Sequence, residues 1–131
     1  MLGLTRTFSP GPRNSGTWIV TPFTSVAGLV EAVLVAVFIT GASTGIGAAA
    51  ARAFARLGSR VVIHYNASRD KAEAVAADCK ALGAQTALVG GDVTAGATVK
   101  RIAADALAAF GRIDVLINNA GGLVGRTRIE D

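Results

Sequence analysis

The feature that most constrains the fold is an alternation of apolar, β-branched runs with segments whose apolar residues recur at helical spacing. The runs occupy residues 33–39, 60–64, 86–89 and 113–117. Continuous apolar runs of this length are typical of strands buried on both faces of a parallel sheet. The order βαβαβαβ therefore predicts an α/β fold, a parallel sheet with right-handed crossovers and helices on both faces.

The spacing also predicts which face of each helix is buried. Gly58, Gly83 and Gly111 end the three predicted helices, as glycine commonly does, and Ser68 is the expected N-cap of the second. The predicted faces are Ile46, Ala49, Ala50, Ala53, Phe54 and Leu57 in the first helix, Ala72, Val75, Ala76, Cys79 and Leu82 in the second, and Val99, Ile102, Ala103, Ala106 and Phe110 in the third.

Composition excludes several classes of protein. The single Cys79 and single His64 exclude an internal disulfide framework and a metal site built from several cysteines or histidines. Pro22 and Glu31 interrupt the longest apolar stretch, so we expect no membrane-spanning helix. The net charge is +4, but the 13 Lys and Arg residues are spread along the chain, and this spread does not favour a nucleic-acid partner.

A glycine-rich segment, TGASTGIG at residues 40–47, joins the first predicted strand to the first predicted helix. A Rossmann-type fold binds the pyrophosphate of a dinucleotide at this position. Gly41 would allow the sharp turn, Gly45 the close approach of the backbone to phosphate, and Gly47 close packing of the helix.

The start of the predicted helix supplies the chemistry for binding an anion. Its free N–H groups and its dipole attract phosphate, and the hydroxyls of Ser43 and Thr44 add donors. A turn that is rich in glycine only for packing is the alternative. No Gly-Lys-Ser or Gly-Lys-Thr follows, so a P-loop nucleotide hydrolase is set aside.

Three motifs together resemble those of the short-chain dehydrogenase/reductase family. They are TGASTGIG at 40–47, GDVT at 91–94 and NNAG at 118–121, in the family's order. The resemblance covers about residues 33–125, and the second strand region is most similar to the 3-oxoacyl-carrier-protein reductase and glucose dehydrogenase branches. It implies the N-terminal half of a Rossmann-type domain, truncated after the fourth strand, that binds a dinucleotide.

The resemblance also implies roles for individual residues. Asp92 would accept from the adenine amino group, Val93 would contact the ring through its backbone, and Asn118 would lie beside the adenosine ribose. The Asn119 amide would join neighbouring strands. A carboxylate that only stabilises a helix N-terminus is the alternative for Asp92, and turn formation is the alternative for the two asparagines.

The end of the second strand indicates which dinucleotide is preferred. An NAD site usually has an acidic residue there for the ribose 2′-hydroxyl, whereas this chain has no acid in residues 64–69, ahead of Asp70. Asn66, Ser68 and Arg69 can donate to a 2′-phosphate. NADP is therefore the favoured cofactor, with NAD the alternative, although position 44 lacks the basic residue of many NADP-using members. The predicted cofactor-binding residues are Gly41, Ser43, Thr44, Gly45, Ile46, Gly47, Tyr65, Asn66, Ser68, Arg69, Asp92, Val93, Asn118, Ala120 and Gly121.

The catalytic group of the family has no counterpart. Members that this chain resembles use a serine and a Tyr-x-x-x-Lys pair, but the only tyrosine, Tyr65, precedes Arg69 by four residues. We therefore predict no catalytic or metal-binding residue, and no carbonyl reductase activity for these 131 residues. Three interpretations remain open: the cofactor-binding half of an oxidoreductase, a non-catalytic dinucleotide-binding or dimerising module, and an inert fragment.

Two further expectations concern the ends of the domain. Val115–Ile117 would form an exposed apolar sheet edge that favours self-association. Residues 1–32 contain all three prolines and Glu31 as their only acid, a composition that resembles an organelle transit peptide; a disordered or artefactual start is the equal alternative. The predicted dinucleotide-binding part is then 33–131, in the cytoplasm, or in an organelle if 1–32 is a transit peptide.

Overall fold

The computed structural model describes residues 34–122. The predictions made for residues 1–32, including their bearing on the cellular compartment, lie outside the described residues and stay predictions.

The described chain forms one four-stranded sheet with three helices in strict alternation. All strand pairs are parallel, and the spatial order of the strands is β3-β2-β1-β4. The α/β, Rossmann-type prediction is thus confirmed. The elements are β1 Ala36–Ile39, α1 Gly45–Arg56, β2 Arg60–Tyr65, α2 Arg69–Ala81, β3 Thr86–Gly90, α3 Gly96–Phe110 and β4 Val115–Ile117.

Two apolar clusters cover the two faces of the sheet. The larger one joins α1 and α2 to the alternate strand residues Val37, Ile39, Val61 and Ile63, which are fully buried. The smaller cluster joins α3 to the strand residues that alternate with these in the sequence, chiefly Phe38 and Val62. The alternation places successive side chains on opposite faces, so both faces of β1 and β2 are covered, as their continuous apolar sequence predicts.

The predicted face of α1 is wrong at Ile46, Ala49, Ala53 and Leu57, which are exposed, and right only at Ala50 and Phe54, which are partly buried against the larger cluster. Its buried residues are Gly47, Ala48, Ala51 and Ala55, whereas Ile46 and Leu57 are 82% and 78% exposed. A helix that presents alanine on every side gives no clear apolar stripe, and a stripe of small residues lets the helix approach the sheet closely. In α3, Ile102 and Ala106 are buried as predicted, but Val99 and Ala103 are exposed.

The predicted face of α2 is largely right. Ala72, Val75, Ala76 and Cys79 are buried, and only Leu82 is partly exposed. Ser68 occupies the N-cap position, but its side chain makes no capping hydrogen bond. The expectation that its hydroxyl caps the helix is therefore wrong.

The strand order creates a topological switch point. From β1 the chain proceeds through β2 to β3 on one side, and β4 then pairs on the other side of β1. Open α/β sheets bind ligands in the crevice outside the carboxyl ends of the strands at such a point. No described helix is long and apolar enough to cross a membrane.

Candidate cofactor-binding site

A cavity of about 590 Å³ lies at the carboxyl ends of the strands. This volume is within the range of small-molecule sites. Every one of the four strands contributes the loop that follows it. The lining residues are Gly41, Ser43, Thr44, His64, Asn66, Ala67, Ser68, Asp92, Val93, Thr94, Asn119, Ala120, Gly121 and Gly122.

Two glycines of the loop after β1 are needed for different reasons. Gly41 has φ of +65°, and a Cβ there would lie 2.9 Å from the Ala120 Cα. Gly47 is helical, but a Cβ there would lie 2.5 Å from the Asn119 Nδ2 and 2.6 Å from the Gly41 carbonyl oxygen. Any side chain at these positions would push the loop away from the end of β4, in agreement with the close packing expected from the sequence.

The N-terminus of α1 faces open space. Thr44 is the N-cap, in an extended conformation, and its side chain makes no capping hydrogen bond. The first backbone bond into the helix runs from the Ala48 N–H to the Thr44 carbonyl at 3.2 Å, so the N–H groups of residues 45–47 have no acceptor within the helix. A Cβ at Gly45 would meet nothing within 4 Å. This end of the helix can therefore accept an anion.

The end of β4 is fastened to the glycine loop by two polar side chains. The Thr40 Oγ1 accepts from the N–H groups of Asn119 and Ala120, each at 3.0 Å, and donates to the Ile117 carbonyl at 3.3 Å. The Asn119 side-chain amide donates to the carbonyls of Thr40 and Gly41, at 3.0 and 3.1 Å. The amide therefore joins neighbouring strand ends, as the resemblance implies, and it fixes the glycine loop as well.

The loop after β3 begins with a structured carboxylate. The Asp92 Oδ1 accepts from the Thr94 N–H at 2.8 Å and from the Thr94 hydroxyl at 2.7 Å. These two bonds, the backbone one first, lower the pKa of Asp92 below its usual range. The side chain is thus a fixed anion and hydrogen-bond acceptor at neutral pH. The preceding turn is held by the Arg101 guanidinium, which donates to the Gly90 carbonyl at 2.8 Å.

His64 is the last residue of the predicted strand run 60–64, and the structure shows that it is also a buried part of the site. It is 1% exposed. Its Nδ1 accepts from the Gly41 N–H at 3.1 Å, and its Nε2 bonds the Gly91 carbonyl at 2.8 Å. The only available signal was a polar residue directly after the apolar run 61–63 of β2.

The cavity brings together nine of the fifteen predicted residues: Gly41, Ser43, Thr44, Asn66, Ser68, Asp92, Val93, Ala120 and Gly121. Gly45, Ile46 and Gly47 follow Thr44 in the first turn of α1 and do not line it.

The remaining three predicted residues lie elsewhere. The Tyr65 ring packs against Gly90, and the Arg69 guanidinium bonds Glu73 at 2.8 Å. Asn118 lines a second, more apolar cavity of about 290 Å³ between β4 and α3. Within residues 34–122, no group of three or more His, Cys, Asp or Glu side chains could hold a metal ion.

A model of the short chain dehydrogenase family matches residues 35–131. The chain belongs to this family, which confirms the resemblance read from the three motifs.

Comparison with individual relatives gives the same family. Over 83 residues the chain is 42% identical to the 3-oxoacyl-acyl-carrier-protein reductase FabG of Staphylococcus epidermidis, a match that covers 63% of this chain and 34% of that protein. It is 44% identical over 85 residues to an L-rhamnose 1-dehydrogenase (NAD(P)(+)) of a Sphingomonas species, covering 65% of this chain and 34% of the relative. A crystal structure of a dehydrogenase from Burkholderia cenocepacia with bound NADP is 40% identical, with a TM-score of 0.63, over 65% of this chain and 33% of the other.

The chain therefore spans about a third of the length of the relatives it matches. Over this third of their length, the relatives share their fold and their oxidoreductase family with this chain.

Proposed function

We propose that this chain is the cofactor-binding half of an NADP(H)-dependent oxidoreductase that interconverts a carbonyl and an alcohol. The observation that carries the proposal is the cavity at the switch point of the sheet, beside the uncapped and open N-terminus of α1. The fixed Asp92 carboxylate, a suitable acceptor for an adenine amino group, adds a second recognition element.

The residues present fit such a cofactor. The pyrophosphate would meet the N–H groups of residues 45–47 and the hydroxyls of Ser43 and Thr44, while Asp92 and Val93 would meet the adenine. The nicotinamide, when bound, supplies or accepts hydride. The alkoxide that forms in such a reaction needs a hydrogen-bond donor, and the chain contains no Tyr-x-x-x-Lys. We accordingly expect no NADPH-dependent ketone reduction by the 131-residue chain alone.

NADP is proposed over NAD because of the charge at the end of β2. Asn66 and Ser68 line the cavity there, and Asp92 is the single acid among the lining residues. Arg69 bonds Glu73 instead, but this is an exposed i,i+4 ion pair, and such pairs contribute little to stability. The guanidinium can leave Glu73 for a 2′-phosphate at small cost.

The substitution Asn66→Asp tests the choice of cofactor. A carboxylate at this position repels a 2′-phosphate and accepts from a 2′-hydroxyl, so we expect NADPH affinity to fall by roughly tenfold or more relative to NADH. Gln85→Glu adds the same charge at the opposite end of the sheet, before β3, and should leave the ratio unchanged. Calorimetric titration with NADPH and with NADH measures the ratio of the two affinities. An unchanged NADPH to NADH ratio in Asn66→Asp would overturn the assignment to NADP.

A matched pair of glycines tests dinucleotide binding itself. Gly45 and Gly58 have similar positive φ angles, +56° and +78°, and at both positions a Cβ would stand in open space. Alanine at either position should destabilise the fold equally, by about 1–2 kcal/mol. Only Gly45→Ala places a methyl group where the phosphate would approach, so we expect a loss of roughly tenfold in NADPH affinity. Equal NADPH affinities in the two variants would refute the phosphate site.

A second candidate function, a dimerising module, is favoured by the edge of the sheet. Among the described strands, β4 pairs only with β1, and Leu116 is 53% exposed. Bare apolar edges promote strand pairing between molecules. We expect Leu116→Lys to shift the chain towards monomer in analytical ultracentrifugation, and the control Leu57→Lys, at the exposed end of α1, to have no effect. A wild-type chain that is monomeric at high concentration would exclude this function.

A further inference from the structure

The buried imidazole of His64 is bonded to two different loops of the candidate site. One ring nitrogen contacts Gly41 in residues 40–47, the loop proposed to bind phosphate and called the phosphate loop below, and the other contacts Gly91, which precedes Asp92. The two partners are 23 and 27 residues away in the sequence. The ring lies edge-on to Phe38, with centroids 6.4 Å apart and an interplanar angle of 84°, so it is held in place by packing as well.

The chemistry of the two partners determines the protonation of the ring. The Gly41 N–H can only donate, so Nδ1 must be the unprotonated acceptor, and the Gly91 carbonyl can only accept, so Nε2 must carry the proton. The neutral Nε2–H tautomer therefore satisfies both backbone groups. A second proton on the ring would set an N–H against the Gly41 N–H and would break the contact to the phosphate loop.

Main-chain hydrogen bonds hold the neighbouring residues of both loops. The Ala42 N–H donates to the His64 carbonyl at 2.8 Å, and the Gly91 N–H donates to the Tyr65 carbonyl at 2.9 Å. The imidazole adds the one side-chain connection between Gly41 and Gly91 in the described structure. Gly41, His64 and Asp92 all line the same cavity.

We infer that His64 is a positioning residue that sets the phosphate loop and the Gly91–Asp92 loop relative to each other, and thereby links recognition of the two ends of the ADP part of the cofactor. This inference rests on the proposed function. A ligand that spans both loops should depend on His64 strongly. A ligand that contacts only the loop that carries Asp92 should depend on it weakly.

Three variants separate positioning from general stability. His64→Phe keeps a ring but removes both hydrogen bonds. His64→Gln offers an acceptor and a donor on one side chain and is the conservative variant. Val62→Ala is the control, because Val62 is fully buried two residues earlier on β2 and bonds neither loop through its side chain. Binding is measured on the full 131-residue chain, below the melting temperature of each variant.

We expect His64→Phe to weaken NADPH binding roughly tenfold, because NADPH would then have to order the two loops as it binds. Its affinity for adenosine should fall by no more than about twofold. His64→Gln should recover most of the NADPH affinity, and Val62→Ala should retain it while melting at a lower temperature. If His64→Phe binds NADPH as wild type does, or loses adenosine and NADPH equally, the inference is wrong.

A spectroscopic measurement tests the geometry without any variant. His64 is the only histidine in the chain, so long-range ¹H–¹⁵N spectra of its imidazole need no assignment. We expect one protonated Nε2 and one unprotonated Nδ1 at neutral pH, with the ring signals shifting on addition of NADPH. The Nδ1–H tautomer, or an imidazolium, would contradict the inference. A wild-type chain with the expected tautomer that binds no NADPH would instead overturn the proposed function and, with it, the linkage.

Discussion

The two faces of the sheet are covered to different extents. On one face, α1 and α2 bury a continuous cluster that includes eight residues of zero exposure on the helices and strands: Val37, Ile39, Ala51, Ala55, Val61, Ile63, Ala72 and Cys79. On the other face α3 covers Phe38 and Val62, but Val99, Leu107 and Leu116 are 39–53% exposed. The first face has the packing of a finished interior, while the second has apolar surface in contact with solvent.

This difference follows from the order of the strands. The crossovers β1-α1-β2 and β2-α2-β3 both place their helices on the first face, so two neighbouring helices cover it. Among the described elements, only the crossover β3-α3-β4 covers the second face. The candidate cofactor site lies at the ends of the strands, where loops from all four strands meet, and the second, apolar cavity opens on the less covered side.

The largest expected difference in stability is between two variants that carry the same substitution on opposite faces of the sheet. Ala51 of α1 is fully buried, whereas Ala103 of α3 is exposed and lines the second cavity. Ala51→Leu should lower the free energy of unfolding by about 3 kcal/mol, because a close-packed interior has no room for three more carbons. Ala103→Leu should change it by less than about 0.5 kcal/mol. Denaturant unfolding of both variants checks the difference, and similar losses would mean that the two faces are equally packed.

An intermediate effect on stability is expected in the loop that follows β1. Gly41→Ala and Gly58→Ala both place alanine at a positive φ angle, which costs about 1–2 kcal/mol. Only at Gly41 does the methyl group meet the Ala120 backbone, at 2.9 Å. Gly41→Ala should therefore be less stable than Gly58→Ala by a further 1–3 kcal/mol, roughly the cost of overpacking. Equal melting temperatures would show that the loop is not pressed against the end of β4.

The smallest effect is expected at the start of β4. The Asp114 carboxylate accepts from Arg112 and from the Ala36 N–H at 2.8 Å, and these bonds, the one from Arg112 first, lower the pKa of Asp114. A depressed pKa in the folded state stabilises the fold above the unfolded pKa of about 4, and this contribution is lost as pH falls through the folded value.

Asp114→Asn should consequently lower the free energy of unfolding at pH 7. The difference in free energy of unfolding between the variant and wild type should become smaller as the pH falls below about 4. Thermal melts at a series of pH values measure it. Asp105→Asn, which removes a carboxylate paired only with Arg101 on the surface of α3, is the control. A constant difference between Asp114→Asn and wild type at all pH values would contradict the assignment.

The sequence predicts the order of strands and helices better than it predicts helix faces. The face of α2 is legible because Asp70, Lys71, Glu73, Asp78 and Lys80 mark its exposed side. In α1, alanines stand on every side, so the large residues Ile46 and Leu57 suggested a face that the structure exposes. Close packing through Gly47 decides the orientation of α1, and that contact depends on Asn119, far away in the sequence.

Some residues of the candidate site could likewise be predicted from the sequence, and others could not. Residues of the glycine motif and of the motif at 91–94 that line the cavity were predictable, the first from its place between a strand and a helix and the second from the family resemblance. His64 was not, since its partners are backbone groups of two distant loops and leave no trace in the sequence pattern. The engagement of Arg69 by Glu73 was equally hidden, because an i,i+4 pair competes with a ligand only once the helix has formed.

We propose above all that the open N-terminus of α1 receives the diphosphate of a dinucleotide. Titration of the ¹⁵N-labelled chain with ADP, followed by amide chemical shifts, tests it most directly. We predict that the largest shifts occur at the amides of residues 45–47, with none at Gly58. Unchanged amides at residues 45–47 under saturating ADP, or shifts confined to residues around the second cavity, would contradict the account.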